Sequence, residues 1–146
     1  MNRNALQVTL QIDGGARGNP GPAGAGVVIR DGAGGTVLYK GGLFLGRATC
    51  NAAEYEALLA GLRAAKKIGA SGVDVASDSE LLVRQMRGEY RVRNAALREL
   101  NDSARRLCDG FDRCAFRHVS REENTAADKL ANMAMNVKRN VLDAAE

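Results

Sequence analysis

The chain has no tryptophan and only 4% aromatic residues among its 146 positions, so leucine, valine, isoleucine and alanine must fill its core. At 45% apolar content and the length of one ordinary domain, there are enough of them to do so. Histidine occurs once. Cysteine occurs three times, at Cys50, Cys108 and Cys114, with no C-x-x-C spacing, which argues against a zinc site. Such thiols suit a reducing cytoplasm. No apolar run is long enough to span a bilayer, and the start, MNRNALQV, lacks the apolar stretch of a signal peptide. Repeats, linkers and low-complexity segments are absent. The expectation is a soluble cytoplasmic protein in which residues 1–146 form a single domain, with no membrane contact and no obligatory protein partner. The net charge of +4 and pI of about 9.2 suit a polyanionic partner without requiring one.

Periodicity supplies the elements. Leu6–Ile12 alternates apolar and polar residues like a half-buried strand. Ala25–Arg30 and Thr36–Leu45 read as two more strands, joined by a turn over residues 31–35. From Asn51 to Ile68 the period becomes helical: Tyr55, Leu58, Leu59, Leu62 and Ile68 share a face, and Gly69 stops the helix. Val73–Ser77 is a fourth strand, and Ser79–Arg87 a helix stopped by Gly88. Ala95–Asp109 is a helix whose apolar face carries Leu97, Leu100, Ala104 and Leu107. Cys114–Val119 is a fifth strand. The last helix runs from Thr125 to about Lys138 on Leu130, Ala131, Ala134 and Val137. A helix between strands three and four demands a crossover. The expected fold is α/β: a five-stranded mixed sheet, three antiparallel strands then two parallel, flanked by helices.

Within QIDGGARGNPGPAG, Asp13 stands where the first strand is expected to end, among glycines and prolines. A turn would account for these residues. The stretch is not a P-loop, since no Gly-Lys-Ser/Thr follows and the next element is a strand. Three more acids sit at ends of elements: Glu54 in the first turn of the first long helix, Asp78 after strand four, and Asp128 in the first turn of the last helix. Each has a structural explanation. Asn51 with Glu54 and Thr125 with Asp128 resemble capping boxes, and Asp78-Ser79 can cap the second helix. The set is harder to explain that way. Parallel strands one and four place Asp13 and Asp78 at one sheet edge, and the first helix can bring Glu54 beside them. Carboxylates that close repel unless protonated or neutralised by cations. Hard oxygen ligands call for Mg²⁺ or Mn²⁺, and a metal pair can clamp both oxygens of an in-line phosphoryl displacement.

Four stretches, DGGARGNPGPAGAG, TCNAAEYEALLAGL, SDSELLVRQM and HVSREENTAADKLAN, resemble ribonuclease H type I in order and spacing, over almost the whole chain. The resemblance implies a ribonuclease H-like fold and metal-dependent endonucleolytic cleavage of the RNA strand of RNA–DNA hybrids. It implies two Mg²⁺ ions with substrate bound, with products carrying 3′-hydroxyl and 5′-phosphate ends. Asp13, Glu54, Asp78 and Asp128 fall on the family's metal ligands. Gly14, Asn19 and Asn51 match positions that touch the RNA strand, with Gly15, Cys50 and Glu80 beside them. On this reading Gly14 and Gly15 let the hybrid's backbone approach.

The chain departs from many members in three places. Cys50 stands where they carry Asn, and Glu80 where some carry Gln. Only GEYRVRN, residues 88–94, replaces a long basic insertion between the second and third helices, and a separate hybrid-binding domain before the catalytic one is not expected. Arg84, Arg87, Arg91, Arg93 and Arg98 are the candidates to compensate through phosphate contacts. Two alternatives remain open for an auxiliary residue. Counting back from Asp128 without gaps puts His118 at the place of a proton-shuttling histidine. If CAFRHV instead ends strand five, His118 is structural and Arg121 points toward the scissile phosphate. A non-catalytic hybrid-binding protein and another nuclease of the superfamily are the competing readings.

Overall fold

The computed structural model describes residues 5–32 and 35–145. The strands are β1 (Leu6–Ala16), β2 (Gly21–Asp31), β3 (Val37–Ala48), β4 (Ala70–Ser77), β5 (Arg113–His118) and β6 (Val141–Ala145). The helices are α1 (Cys50–Lys67), α2 (Glu80–Met86), α3 (Ala95–Asp109) and α4 (Thr125–Val137), the last preceded by a 3₁₀ turn, Arg121–Asn124. One sheet runs in the order β5-β4-β1-β2-β3-β6. β4 pairs in parallel with β1 and β5, and the remaining pairs are antiparallel.

The mixed α/β architecture is as expected, but the sheet has six strands rather than five. α4 ends at Lys138, whose left-handed backbone (φ 55°) terminates the helix. The chain then pairs with the free edge of β3, Val141 opposite Gly42 and Ala145 opposite Tyr39. A second correction concerns β1. Its parallel ladder with β4 stops at Ile12–Ser77, yet the strand continues to Ala16 against β2, so Asp13 lies inside a strand opposite Gly26. Only residues 17–20 turn. A third concerns α1, which begins at Cys50 because the Thr49 hydroxyl accepts from the Ala52 N–H, so Glu54 lies beyond the first turn. In the turn after β2, the Gly35 N–H donates to the Asp31 carbonyl, while positions 33 and 34 of that expected turn lie outside the described residues.

The alternation in β1 becomes burial: Val8, Leu10 and Ile12 are no more than 1% exposed. They pack beneath Tyr55, Leu58, Leu59 and Leu62 of α1, while Ile68 at its C-cap is only partly buried. Gly69 and Gly88, both at positive φ, end α1 and α2 as expected. In α3 Ala104 is buried, and Leu97, Leu100 and Leu107 pack partly buried against the core. α4 covers the opposite face over β2 and β3. Its stripe is Ala127, Leu130, Ala131, Ala134 and Met135, whereas Val137, expected on that face, is exposed. The stripe advances in steps of four along the line where α4 meets β2, and Val137 falls off it. A Cβ at Gly26 would overlap the Ala127 carbonyl oxygen, so the missing side chain is what lets this helix approach.

A buried polar network ties the three helices of the other face together. The Tyr55 hydroxyl donates to Gln85 Oε1 (2.7 Å) and accepts from Asn101 Nδ2 (3.0 Å). Arg105 donates to Asn101 Oδ1 and to the Gln85 carbonyl, both at 2.8 Å. Each buried polar group of this network has a partner, as burial requires.

Candidate metal centre

The site grows from the place where the β1–β4 ladder ends. Ile12 and Ser77 are its last partners, so the next residues, Asp13 and Asp78, emerge together at one edge of the sheet. The Ser77 hydroxyl accepts from the Ser79 N–H, which turns the chain away from β4 and into α2. Glu54 arrives from α1 and accepts a 2.7 Å hydrogen bond from the Gly14 N–H. A Cβ on Gly14 would overlap the backbone of Ala53 and Glu54. The missing side chain at Gly14 therefore makes room for helix α1. Gly15 is open, with only Met135 at 4.0 Å from a Cβ placed there.

Oxygen atoms of Asp13, Glu54 and Asp78 can all lie within 4.8 Å of one another. Asp128, in the first turn of α4, lines the same cavity as Asp13 and is held by Asn132, whose Nδ2 donates to its backbone carbonyl (3.0 Å) and side chain (3.3 Å). All four acids line one cavity of about 390 Å³ with Arg17 and Arg121. Burial, then the Asp78 and Asp128 carboxylates, push Asp13 up to about 8, while Arg121 draws it partly back. Burial and Asp13 push Glu54 up to about 9 against the Gly14 hydrogen bond. This donor set fits one or more hard divalent cations: oxygen ligands only, and clustered.

The structure resolves the geometry at the end of β5. His118 closes that strand opposite Ser77, exposed and outside the cavity. Arg121 lines the cavity, its Nε 4.0 Å from Asp78 Oδ2. Cys50 also lines it. Its N–H donates to Asn19 Oδ1 (3.0 Å) and its thiol lies 3.9 Å from the Ala16 carbonyl, so Asn19 fixes the start of α1. Asn51 is exposed beside them. Glu80 stands away from the cavity, paired with Arg84 at 2.9 Å. Of the candidate arginines, Arg84 also binds Glu89 and lies over the Tyr90 ring, Arg87 donates to the Phe116 carbonyl, and Arg98 donates to that of Val92. Arg91 and Arg93 are exposed.

Sequence reasoning missed three residues. Asn124 is fully buried, and its Nδ2 donates to the Ile12 carbonyl (2.7 Å), tying the start of α4 to the residue before Asp13. Asn132 orients Asp128 as described. Arg17 reaches Asn136 Oδ1 at 2.6 Å, joining the β1–β2 turn to α4. The Asn-x-x-x-Asp and Asp-x-x-x-Asn spacings, one helical turn each, were the available signal for the first two.

The family described as reverse transcriptase-like matches residues 11–134. The bifunctional protein Rv2228c of Mycobacterium tuberculosis is 45% identical over 130 residues, which are 89% of this chain and 36% of that protein. The chain thus spans about a third of that relative's length. Ribonuclease HI of Halobacterium salinarum is 43% identical over 129 residues, covering 88% of this chain and 64% of the relative. Among solved structures, the N-terminal ribonuclease H domain of Rv2228c superposes with a TM-score of 0.89 at 44% identity, over 91% of this chain and 96% of that one. LC11-RNase H1 in complex with RNA/DNA hybrid gives 0.83 at 39% identity, over 91% and 98%. No helix among the described residues is long and apolar enough to cross a membrane.

Proposed function

This chain belongs to the type 1 ribonuclease H family, in a short form with only residues 87–94 between α2 and α3, and from that premise we propose that it hydrolyses the RNA strand of RNA–DNA hybrids. The observation that carries the proposal is the convergence of Asp13, Glu54, Asp78 and Asp128 on one cavity from four separate elements. The hybrid as substrate is supported by the hybrid-bound LC11-RNase H1, which shares this fold over nearly its whole length.

Asp13, Glu54, Asp78 and Asp128 would hold two Mg²⁺ ions, with Mn²⁺ as a substitute. When bound, these ions would supply the Lewis acidity that activates water and stabilises the leaving 3′-oxygen, giving 3′-hydroxyl and 5′-phosphate products. The chain's own residues set the geometry. Asp13 and Asp78 each follow the last pair of the β1–β4 ladder, and the Gly14 N–H holds Glu54 beside them. Asn132 keeps Asp128 turned toward the cavity. Arg121, 87% exposed at the cavity rim, is free to swing onto a phosphate oxygen, where its guanidinium can bind bidentately. The open surface at Gly15 and the start of α1, with Asn19, Cys50 and Asn51, would receive the RNA strand, whose 2′-hydroxyls distinguish it from DNA.

A binding-only protein would gain nothing from four clustered acids facing a polyanion. The test is to incubate the purified chain with labelled RNA–DNA hybrid, RNA duplex and DNA junction, with and without Mg²⁺. Cleavage confined to the RNA strand of the hybrid, dependent on the metal and abolished in Asp13→Asn and Asp78→Asn, is expected. Metal-dependent cutting that survives either substitution would refute the site.

A further inference from the structure

The thiol pair Cys108 and Cys114 lies outside the carboxylate site and has no part in the chemistry above. Cys108 is in the last turn of α3 and Cys114 is the second residue of β5, separated by residues 109–113. Their Sγ atoms are 3.0 Å apart, one thiol hydrogen-bonded to the other. Both are half-buried, and they line a cavity of about 440 Å³ together with Met86, Arg87, Arg105 and Phe116. A disulfide bond is about 2.0 Å long, so closure needs roughly 1 Å of movement.

We infer that Cys108 and Cys114 form a redox-active dithiol, a modification site at which a peroxide closes an intramolecular disulfide between α3 and β5. The cavity admits a small oxidant, and the intervening segment is already set. Phe111 is buried, and the Asp112 N–H donates to the Ser71 carbonyl at 2.8 Å. Bridging therefore fixes an existing shape. The Cys108 sulfur beside it holds the Cys114 thiol below the ordinary thiol range, with Arg113 helping, against burial and the Asp74 and Asp109 carboxylates. The same contact, and burial, push Cys108 up.

The attacking group is either thiol, here Cys114. Its thiolate takes one peroxide oxygen, the O–O bond breaks, and the departing hydroxide collects a proton as water. Cys108 sulfur then attacks the Cys114 sulfenic acid. The S–O bond breaks, and the hydroxide leaves with the Cys108 proton as a second water. Two thiols and one peroxide yield one disulfide and two waters, with two electrons passing from sulfur to oxygen. In a reducing compartment the bond is transient and reversed by thiols.

The remaining thiol, Cys50, lines the carboxylate cavity instead and serves as an internal control. Trypsin cuts after Arg106, Arg113 and Arg117, leaving Cys108 and Cys114 on separate peptides. The reduced full chain, treated with stoichiometric hydrogen peroxide and digested without reductant, should yield those two peptides covalently joined. The free thiol count should fall from three to one. The thermal midpoint should rise by about 5 °C, as expected for closing a short loop, and return with dithiothreitol. Cys108→Ser and Cys114→Ser should each lose the joined pair and the thermal rise. Peptides that stay separate while Cys108 and Cys114 remain thiols or become sulfinic acids would overturn the inference. So would joining to Cys50, or disulfides only between molecules.

Discussion

Glu54 offers a direct measure of the electrostatic cost of the site. Its folded value of about 9 lies well above its ordinary 4.5, chiefly through burial and then through Asp13. A carboxyl raised on folding contributes stability that is fully present below pH 4.5 and is lost as pH rises toward 9. In that window the unfolded chain ionises Glu54 and the metal-free fold does not. The difference amounts to about 1.4 kcal/mol for each pH unit above 4.5, or about 3 kcal/mol at pH 7. Glu54 is half-buried, and water that reaches it reduces this to on the order of 2 kcal/mol. Glu54→Gln keeps an oxygen to accept from the Gly14 N–H and removes the titration. Urea unfolding of EDTA-treated protein at pH 5, 7 and 9 is the assay. Wild type should lose stability between pH 5 and 7 by on the order of 2 kcal/mol more than Glu54→Gln does, and go on losing it toward pH 9. Mg²⁺ at pH 7 should restore wild type and leave the variant little changed. Parallel pH profiles for the two proteins would refute the argument, because Glu54 would then ionise alike in the folded and unfolded chain.

Gly14→Ala places a Cβ against the backbone of Ala53 and Glu54. It should cost about 2 kcal/mol or more in urea unfolding, and should lower cleavage by displacing Glu54. Tyr55→Phe leaves Gln85 Oε1 and Asn101 Nδ2 buried without their shared partner, so a loss of about 1–3 kcal/mol is expected with cleavage retained in the folded fraction. His118→Ala should leave kcat near wild type, since its side chain is exposed and outside the cavity, whereas Arg121→Ala should lower kcat clearly; steady-state kinetics on a short hybrid distinguish the two.

Elements carried by a strong local period were legible in the sequence. The alternation of Leu6–Ile12 and the apolar face of α1 are one-dimensional records of burial, and both match the core. The four acids stood out in the sequence because each was expected at the end or the beginning of such an element, although Asp13 lies inside β1 and Glu54 beyond the first turn of α1. β6 was not, since VLDAA has no alternation and pairs only because the left-handed Lys138 stops α4 beside the edge of β3. The continuation of β1 beyond Asp13 was hidden by glycines that read locally as a turn, whereas β2 supplies the partner from outside. The helix that the small size of Gly14 makes room for was hidden for a related reason. That small size is visible in the sequence, but what occupies the space is α1, nearly forty residues away. The choice between His118 and Arg121 turned on where β5 ends, and the parallel register Ser77–His118 decides the placement through pairing that no local pattern encodes.

The carboxylates also occupy the part of the framework best able to hold them. A cluster that pushes Asp13 to about 8 and Glu54 to about 9 works against its own fold when no cation is present. Mobile loops would relieve that repulsion by moving apart. Here Asp13 cannot move far, because Ile12 before it is buried in the ladder and its carbonyl is held by Asn124, while Gly14 after it is pinned to Glu54. Asp78 follows Ser77, which is fully buried. Separation of the acids is therefore blocked by the same strand pairing and helix packing that make up the core. Protons or cations must then relieve the repulsion. This makes cation affinity a consequence of core stability, and it predicts that substitutions which loosen the β1–α1 contact will weaken Mg²⁺ binding before they unfold the chain. Gly14→Ala, titrated with Mg²⁺ by calorimetry below its unfolding midpoint, should show weaker binding than wild type. Equal affinity in a destabilised variant would mean that the ligands do not depend on this contact for their placement.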